Sequence, residues 1–249
     1  MTATLALLRI ELRLLGRDTT AWGTAIALPL LLGAVWFADL PPMGDGVGTA
    51  IVFQVVGLLV MTLHTVGTMS LVNRREQLVL KRWRSSEAST TGVLIGTIGV
   101  PAGLVVVQAA VLSVITMLAH GQAPASSTML LVGVLSGVVT IGAVTFVVAS
   151  FTRSSDHALI TTFPVVALLM GGAVWAMMRP FDPLDWPVLA IPGGASVQLL
   201  RLGWDGPTQA GAGAAAWLGD AAASLGATAL ISLVATAAAV RVFRWEPRA

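Results

Sequence analysis

The sequence predicts an all-α polytopic membrane protein with six transmembrane helices, and three observations support this. Hydrophobic residues make up 56% of the 249 residues and charged residues only 10%, whereas an average soluble domain carries ~25% charged residues. Several stretches without Asp, Glu, Lys or Arg are long enough to cross a ~30 Å hydrocarbon core as helices. Lys and Arg are also concentrated in the connections on one side of these stretches.

The chain begins with an amphipathic segment, 3–17, in which leucines recur every three or four residues beside Arg9, Arg13 and Arg17. We expect a helix that lies in the inner membrane interface, with its arginines towards anionic headgroups. Such a helix either anchors the first span or also provides a docking surface for a cytoplasmic partner, and Glu11 belongs to that candidate surface.

Six apolar segments follow, within a single transmembrane domain of residues 1–249. The uncharged stretch 88–152 is too long for one span, and it divides into two at a polar Gly/Pro cluster, 120–127. The predicted spans are approximately 20–39, 48–72, 91–119, 128–151, 157–178 and 214–240.

The orientation follows from the positions of the basic residues. Of the 14 Lys and Arg residues, only Arg179 and Arg201 lie on the side opposite the two termini. Because basic residues concentrate in cytoplasmic loops, both termini are predicted to be cytoplasmic.

Residues 73–89, between spans 2 and 3, are the most informative connection. They hold five of the 14 basic residues, two acidic residues and Trp83, around the apolar stretch 78–80. One interpretation is an ordinary solvated cytoplasmic loop. The other is a contact surface for a partner, because a basic loop needs no apolar centre with an aromatic anchor.

Two further connections carry predictions. The short cytoplasmic loop 152–158 places Ser154 or Ser155 to cap span 5, and capping alone explains it, although a second, weaker partner contact is the alternative. The outer loop 179–213 contains an apolar stretch, 186–204, that is broken by prolines and glycines. We expect one or two short helices there, either re-entrant or interfacial.

The sequence lacks the motifs of the common catalytic sites. It has no GxxxxGK[ST], HExxH or GxSxG motif and no cysteine, and its three histidines are scattered. No catalytic or metal-ligating residue is therefore predicted. Gln54, His64 and Gln108 lie inside spans, where each either bonds a neighbouring helix or lines a translocation path. Pairs at GxxxG spacing, such as Gly133 and Gly137, permit close helix approach.

Residues 74–86, Arg-Arg-Glu-Gln-Leu-Val-Leu-Lys-Arg-Trp-Arg-Ser-Ser, resemble a known family segment. They look like the charged coupling segment between spans 2 and 3 in the six-helix permease subunit of ABC-2 type bacterial ABC exporters, in the drug and antibiotic export branch. Leu78 stands where that family commonly has glycine, Trp83 where it has leucine, and Glu87 where it often has proline. The layout of the whole chain resembles that family as well.

The resemblance implies a transport subunit in a bacterial cytoplasmic membrane that exports a hydrophobic or amphiphilic compound. The chain would not be an enzyme: a separate ABC ATPase subunit, in two copies, would bind ATP and Mg²⁺, and two copies of this chain would form the pathway. Membrane lipid is the other expected partner, and nucleic acid is not one. The residues implied in coupling to the ATPase are Glu11, Arg74, Arg75, Glu76, Leu80, Lys81, Arg82, Trp83 and Arg84. The residues implied in an exit gate are Pro192, Gly193, Gln198 and Leu199.

Three other classes compete with this interpretation. An ion-coupled secondary transporter would carry an intramembrane carboxylate or inverted repeats, and an intramembrane enzyme would carry a convergent nucleophile and base. Neither pattern is visible in the sequence. A non-transporting membrane partner of an ABC ATPase remains the third alternative.

Overall fold

The structure is a computed structural model that describes residues 23–27, 30–31, 47–78, 90–208 and 213–242. This part of the chain is helical and contains no strand. A short π-helical turn at Gly23–Ala27 comes first. The helices that follow are α1 (Val47–Glu76), α2 (Thr90–His120), α3 (Ser127–Phe151), α4 (Ser155–Met177), α5 (Trp186–Leu189), α6 (Gly194–Asp205) and α7 (Ala214–Val242).

Helices α1, α2, α3, α4 and α7 are each long and apolar enough to cross a membrane, which indicates a membrane protein. Their limits agree with five of the predicted spans to within four residues, and the largest difference is that α1 continues from residue 72 to Glu76. The predicted span 20–39 lies outside the described residues except for 23–27 and 30–31. The predicted amphipathic helix 3–17 lies outside them entirely.

Helix α1 forms the centre of the bundle. Of its most apolar stretch, 67% of the residues are buried, compared with 28% for α2, 22% for α4 and 17% for α7. The outer helices therefore present apolar side chains such as Leu118, Phe163 and Val240, each more than 70% exposed, on the surface of the bundle. A surface of this kind is expected where lipid or another apolar partner covers the helices.

Helix α6 packs closely against α3 because glycines remove side chains from the contact. A Cβ atom on Gly133 of α3 would lie 2.9 Å from the backbone nitrogen of Leu200. On α6, a Cβ atom on Gly203 would lie 2.5 Å from the backbone nitrogen of Leu130. The pairing of residue 133 with 200 and of 130 with 203 shows that the two helices run antiparallel.

Residues 179–205, which include α5 and α6, form what we call the Pro192 hairpin. Gly193 lies at its tip with φ of 92°, a conformation that glycine adopts readily. A Cβ atom there would lie 3.4 Å from Cδ1 of Ile141, which is fourteen residues from the start of α3 at Ser127, or about 21 Å along the helix. The hairpin thus runs from one end of the bundle to the middle of α3 and back. Its entry into a membrane remains a prediction.

We predict that Gly133→Ala and Gly203→Ala each lower the free energy of unfolding by about 1–3 kcal/mol, because the added methyl group meets backbone atoms that cannot rotate away. Gly103→Ala on α2 is the matched control, since a Cβ atom added there would have no neighbour within 4 Å. The melting temperature in mild detergent, followed by tryptophan fluorescence, measures the effect. Equal melting temperatures for all three variants would contradict this account of the α3–α6 contact.

Candidate functional site

The predicted coupling segment begins at a buried arginine. Arg75, in the last turn of α1, is 1% exposed. Its Nη1 atom donates a hydrogen bond to the carbonyl oxygen of Ala149 at 2.9 Å. Its Nη2 atom donates to the carbonyl oxygens of Thr152 and, at 3.3 Å, Arg153. The guanidinium is thus enclosed by the end of α3 and the loop that follows it.

This environment suits an arginine in particular. The last carbonyl groups of a helix have no partner within the helix, and they form the negative end of its dipole. A buried cation is costly unless it is hydrogen-bonded, and the planar guanidinium group can bond several carbonyls in fixed directions. Arg75 therefore lies in the last turn of α1 and also caps the C-terminal end of α3.

Glu76 makes the equivalent contact with the next helix. Its Oε1 atom accepts a hydrogen bond from the backbone N–H of Ser155, the first residue of α4, at 3.1 Å. A carboxylate at this position satisfies one free N–H group and interacts favourably with the positive end of the α4 dipole. We call this set of contacts, from Arg75 and Glu76 to the backbone of 149–155, the Arg75–Glu76 joint.

The cap of α4 differs from the serine cap expected from the sequence. Ser154 occupies the N-cap position, but its side chain makes no capping hydrogen bond. Its Oγ atom is instead 2.9 Å from Nδ1 of His157. The Glu76 side chain from α1 instead accepts a hydrogen bond from the N–H group at the start of α4. Local sequence alone could not reveal this contact, because the two residues are far apart in the chain.

Leu78 adopts an unusual backbone conformation directly after the joint. Its φ is 59°, and among the residues that the structure describes it is the only non-glycine residue with a positive φ. Its backbone nitrogen donates to the carbonyl oxygen of Arg75 at 3.0 Å, which ends α1. Helices often end on a residue in this left-handed conformation, usually glycine. Leu78 thus occupies a position that glycine would fill without steric cost.

Only part of the predicted coupling surface lies in the described residues. Arg74 is half-buried, and its Nε atom lies 3.4 Å from Oγ of Ser70 on the previous turn. Arg75 and Glu76 contact the connection between α3 and α4. The remaining predicted coupling residues lie outside the described ranges: Glu11, Leu80, Lys81, Arg82, Trp83 and Arg84.

The three polar residues predicted for spans are all buried in the bundle, with 6% of Gln54, none of His64 and 3% of Gln108 exposed. Oε1 of Gln108 accepts a hydrogen bond from Thr62 at 3.4 Å, which joins α2 to α1. A buried polar contact of this kind is expected between residues that hold helices together in a membrane.

His64 lies in an unusual stretch of α1. Residues Leu59–Val66 form a π-helix, a local widening that often occurs at functional sites. Nδ1 of His64 lies 3.1 Å from Oγ1 of Thr145 on α3, and the same hydroxyl group lies 2.7 Å from the carbonyl oxygen of Ile141. Nε2 of His64 is buried and has no hydrogen-bond partner among the described residues.

The four predicted gate residues all belong to the Pro192 hairpin, but they occupy different parts of it. Pro192 and Gly193 form the tip, next to Leu59 and Val60 in the π-helical part of α1. Nε2 of Gln198 donates to the carbonyl oxygen of Asp182 at 2.9 Å. Leu199 is fully buried in a cluster that includes Ala221 of α7. The structure therefore places two of these residues at the tip and two on α6.

Charged residues fix the hairpin to the bundle at its open end. Nη1 of Arg201 donates to the carbonyl oxygen of Arg179 at 3.0 Å, just beyond the end of α4. The Arg179 guanidinium pairs with Asp185 at 2.5 Å and lies 4.9 Å from the centre of the Trp175 ring. Nη1 of Arg201 also donates to the carbonyl oxygen of Ala176 in α4 at 3.4 Å, and Trp175 belongs to α4, so both basic residues predicted for the outer side bind the hairpin to α4.

Asp205, at the end of α6, approaches the start of α1. A Cβ atom on Gly48 would lie 2.2 Å from Oδ1 of Asp205, so the glycine leaves room for the carboxyl group. Partial burial raises the pKa of Asp205, and the positive charge of Arg201 acts against this rise. Within the described ranges, no three His, Asp or Glu side chains are grouped to hold a metal ion.

We predict that Arg75→Ala lowers the free energy of unfolding by about 3 kcal/mol, because hydrogen bonds to charged groups contribute about 1.5–3 kcal/mol each and the carbonyl groups stay buried. This corresponds to a melting temperature about 6–12 °C lower in mild detergent. Arg75→Lys should be intermediate, since an ammonium group keeps the charge but not the planar fork. Arg153→Ala is the control, because that side chain is exposed and its carbonyl group remains. Equal losses for Arg75→Ala and Arg153→Ala would contradict the role given to the joint.

We predict that Leu78→Gly stabilises the protein by about 0.5–1 kcal/mol. Removing the Cβ atom relieves about 1–2 kcal/mol of left-handed strain, and the greater freedom of glycine in the unfolded chain offsets part of that gain. Leu78→Ala is the control because it shortens the side chain but keeps the Cβ atom. If both variants melt at the same temperature, the strain at Leu78 is not significant.

No protein-family model matches the chain. Neither a curated protein nor a solved structure matches it. The functional proposal therefore rests on the chain's own residues and on the resemblance of residues 74–86.

Proposed function

We propose that this chain is the permease subunit of an ATP-driven exporter in a bacterial cytoplasmic membrane. A separate ABC ATPase subunit binds residues 73–89 and hydrolyses ATP with Mg²⁺, and two copies of each chain form the transporter. The cargo is a hydrophobic or amphiphilic compound, such as a drug, natural product, peptide or lipid. The single observation that carries the proposal is the position of the Arg75–Glu76 joint at the start of the predicted coupling segment.

The joint gives the coupling segment a direct connection to two spans. Arg75 and Glu76 belong to the last turn of α1, and the chain continues from them into 77–89. Their side chains bind the end of α3 and the start of α4. A force applied to the coupling segment by a closing ATPase dimer would thus act on α1, α3 and α4 together. An ordinary solvated loop would need no such connection.

Helix α3 extends this connection to the Pro192 hairpin. The joint binds α3 near Ala149, and the hairpin packs on α3 between Leu130 and Ile141. The hydroxyl group of Ser196 also donates to the carbonyl oxygen of Gly133 at 2.7 Å. Movement of α3 would therefore move the hairpin, which supports its proposed role as a re-entrant exit gate on the outer side.

His64 provides the one observation in favour of an ion-coupled secondary transporter. Its Nε2 atom is buried without a hydrogen-bond partner in the described part of the chain, as a proton-binding group in a transporter could be. A non-transporting partner of an ABC ATPase would share the coupling segment but not transport. Dependence of transport on ATP, with no response to a collapsed proton gradient, distinguishes the exporter from both.

We predict that the tagged chain, purified from its native membrane in mild detergent, brings with it a P-loop ATPase that mass spectrometry identifies. Trp83→Ala should reduce recovery of the ATPase at least about tenfold, because a buried tryptophan at an interface commonly contributes ~2 kcal/mol or more. Trp186→Ala is the matched control, since Trp186 is 75% exposed at the opposite end of the bundle.

Recovery of no ATPase from well-controlled preparations would contradict the proposed function. Equal recovery with wild type and Trp83→Ala would be consistent with the proposed exporter, but it would show that the ATPase contact does not depend on Trp83 in residues 73–89.

A further inference from the structure

A cleft between α2 and α3 is a further feature of the structure that the coupling mechanism does not use. Its volume is about 380 Å³, within the ~300–1,000 Å³ typical of small-molecule pockets. Val55, Ala109, Leu130 and Leu200 form its buried floor. The exposed Val114 and Leu131 lie at its mouth, so the cleft opens on the side of the bundle.

The chemistry of the lining selects an uncharged, apolar group inside the cleft. None of the thirteen lining residues is charged, and Ser113 and Ser127 are the only hydroxyl-bearing residues among them. Oγ of Ser113 donates to the carbonyl oxygen of Ala109 at 2.8 Å, so it does not require a ligand to satisfy it. A ligand in this cleft would therefore gain its affinity from buried apolar surface.

The length of the cleft indicates the shape of the ligand. On α2 the lining residues form one helical face from Val106 to Met117, which is about 16 Å along the helix. This is about half of the ~30 Å hydrocarbon thickness of a bilayer, or the depth of one leaflet. One end of the cleft lies at Pro124 and Ser127, where the turn after α2 leads into α3. A chain inside would extend from that turn towards Val55, eight residues from the start of α1.

We propose that this cleft binds one alkyl chain of a lipid-like amphiphile. The chain lies between α2 and α3 with its methyl end near Val55 and Val106, and its polar headgroup remains outside, beside Pro124 and Ser127. The ligand enters sideways from the surrounding lipid through the opening at Val114 and Leu131. This binding depends on the cleft of this chain and does not require an ATPase, so its failure and the failure of the exporter proposal are separate results.

A chain-length series on the wild-type chain, purified in mild detergent, tests the fit. The probe is a fatty acid with a photoactivatable diazirine, and unlabelled fatty acids from octanoate to octadecanoate compete with it. Expressed per free fatty acid dissolved in water, the affinity should rise about fourfold per added methylene group, the equivalent of about 0.8 kcal/mol for transfer from water, and it should level off once the chain reaches about 16 Å. Cross-links should concentrate in 106–117 and 127–134. Labelling spread evenly over all apolar helices, or no dependence on chain length, would overturn the proposal.

A pair of variants on α2 tests the location. Ala110 lines the cleft and Ala119 does not, and both are exposed. Ala110→Phe should fill the cleft and weaken binding at least about tenfold, which equals about 1.4 kcal/mol. Ala119→Phe should bind as the wild type does, and both variants should elute and melt as folded proteins. Equal binding by the two variants would overturn the assignment, and the wild-type series keeps the proposal testable if Ala110→Phe does not fold.

Discussion

The arrangement of α1, α3 and α4 depends on one buried cation. Arg75 is almost fully excluded from solvent, and such a charge is stable only where polar groups surround it. The carbonyl groups at the end of α3 and in the loop before α4 supply that environment. Each side of this contact needs the other. Without these carbonyl groups the buried charge of Arg75 would have no polar environment, and without Arg75 the carbonyl groups would be buried without these hydrogen bonds. The adjacent Glu76 fixes the start of α4 through the opposite charge and the opposite helix end.

Helix α3 connects this joint to the other notable part of the fold. At one end it meets Arg75, and along the rest of its length it receives α6, with glycines at the points of closest approach. Two arginines bind the hairpin to the far end of α4: Arg201 donates to the carbonyl oxygen of Ala176, and Arg179 lies over the Trp175 ring. The two ends of the bundle thus use the same solution, in which a basic side chain satisfies the carbonyl groups near the end of a helix. Such contacts have two discrete states, made and broken, which suits the movement that the proposed exporter would transmit.

Much of the fold follows from composition, because a helix in an apolar setting needs only length and hydropathy to be recognised. The limits of five spans were predictable for this reason. The contacts made by Arg75, Glu76 and Arg201 were not, since each joins residues far apart in sequence, and a basic residue near a span end has the same sequence signature whether it faces water or a helix terminus. Gly133 and Gly203 show the same limit, because only the structure separates them from Gly103, where an added Cβ atom would contact nothing. Leu78 differs from these cases, because it stands where the resembled family commonly has glycine and it adopts the conformation that glycine favours.

The most direct test of the account is a distance measurement between the hairpins of the two copies of this chain in the proposed transporter. The chain has no cysteine, so one spin label can be attached at Leu184→Cys in each copy without removing native thiols, and this position is 72% exposed. The account predicts that ATP and vanadate shift the distance distribution measured by pulsed electron resonance, and that Arg75→Ala abolishes the shift while the ATPase stays bound. The same shift in Arg75→Ala, or no shift in a complex that hydrolyses ATP, would contradict transmission through the joint.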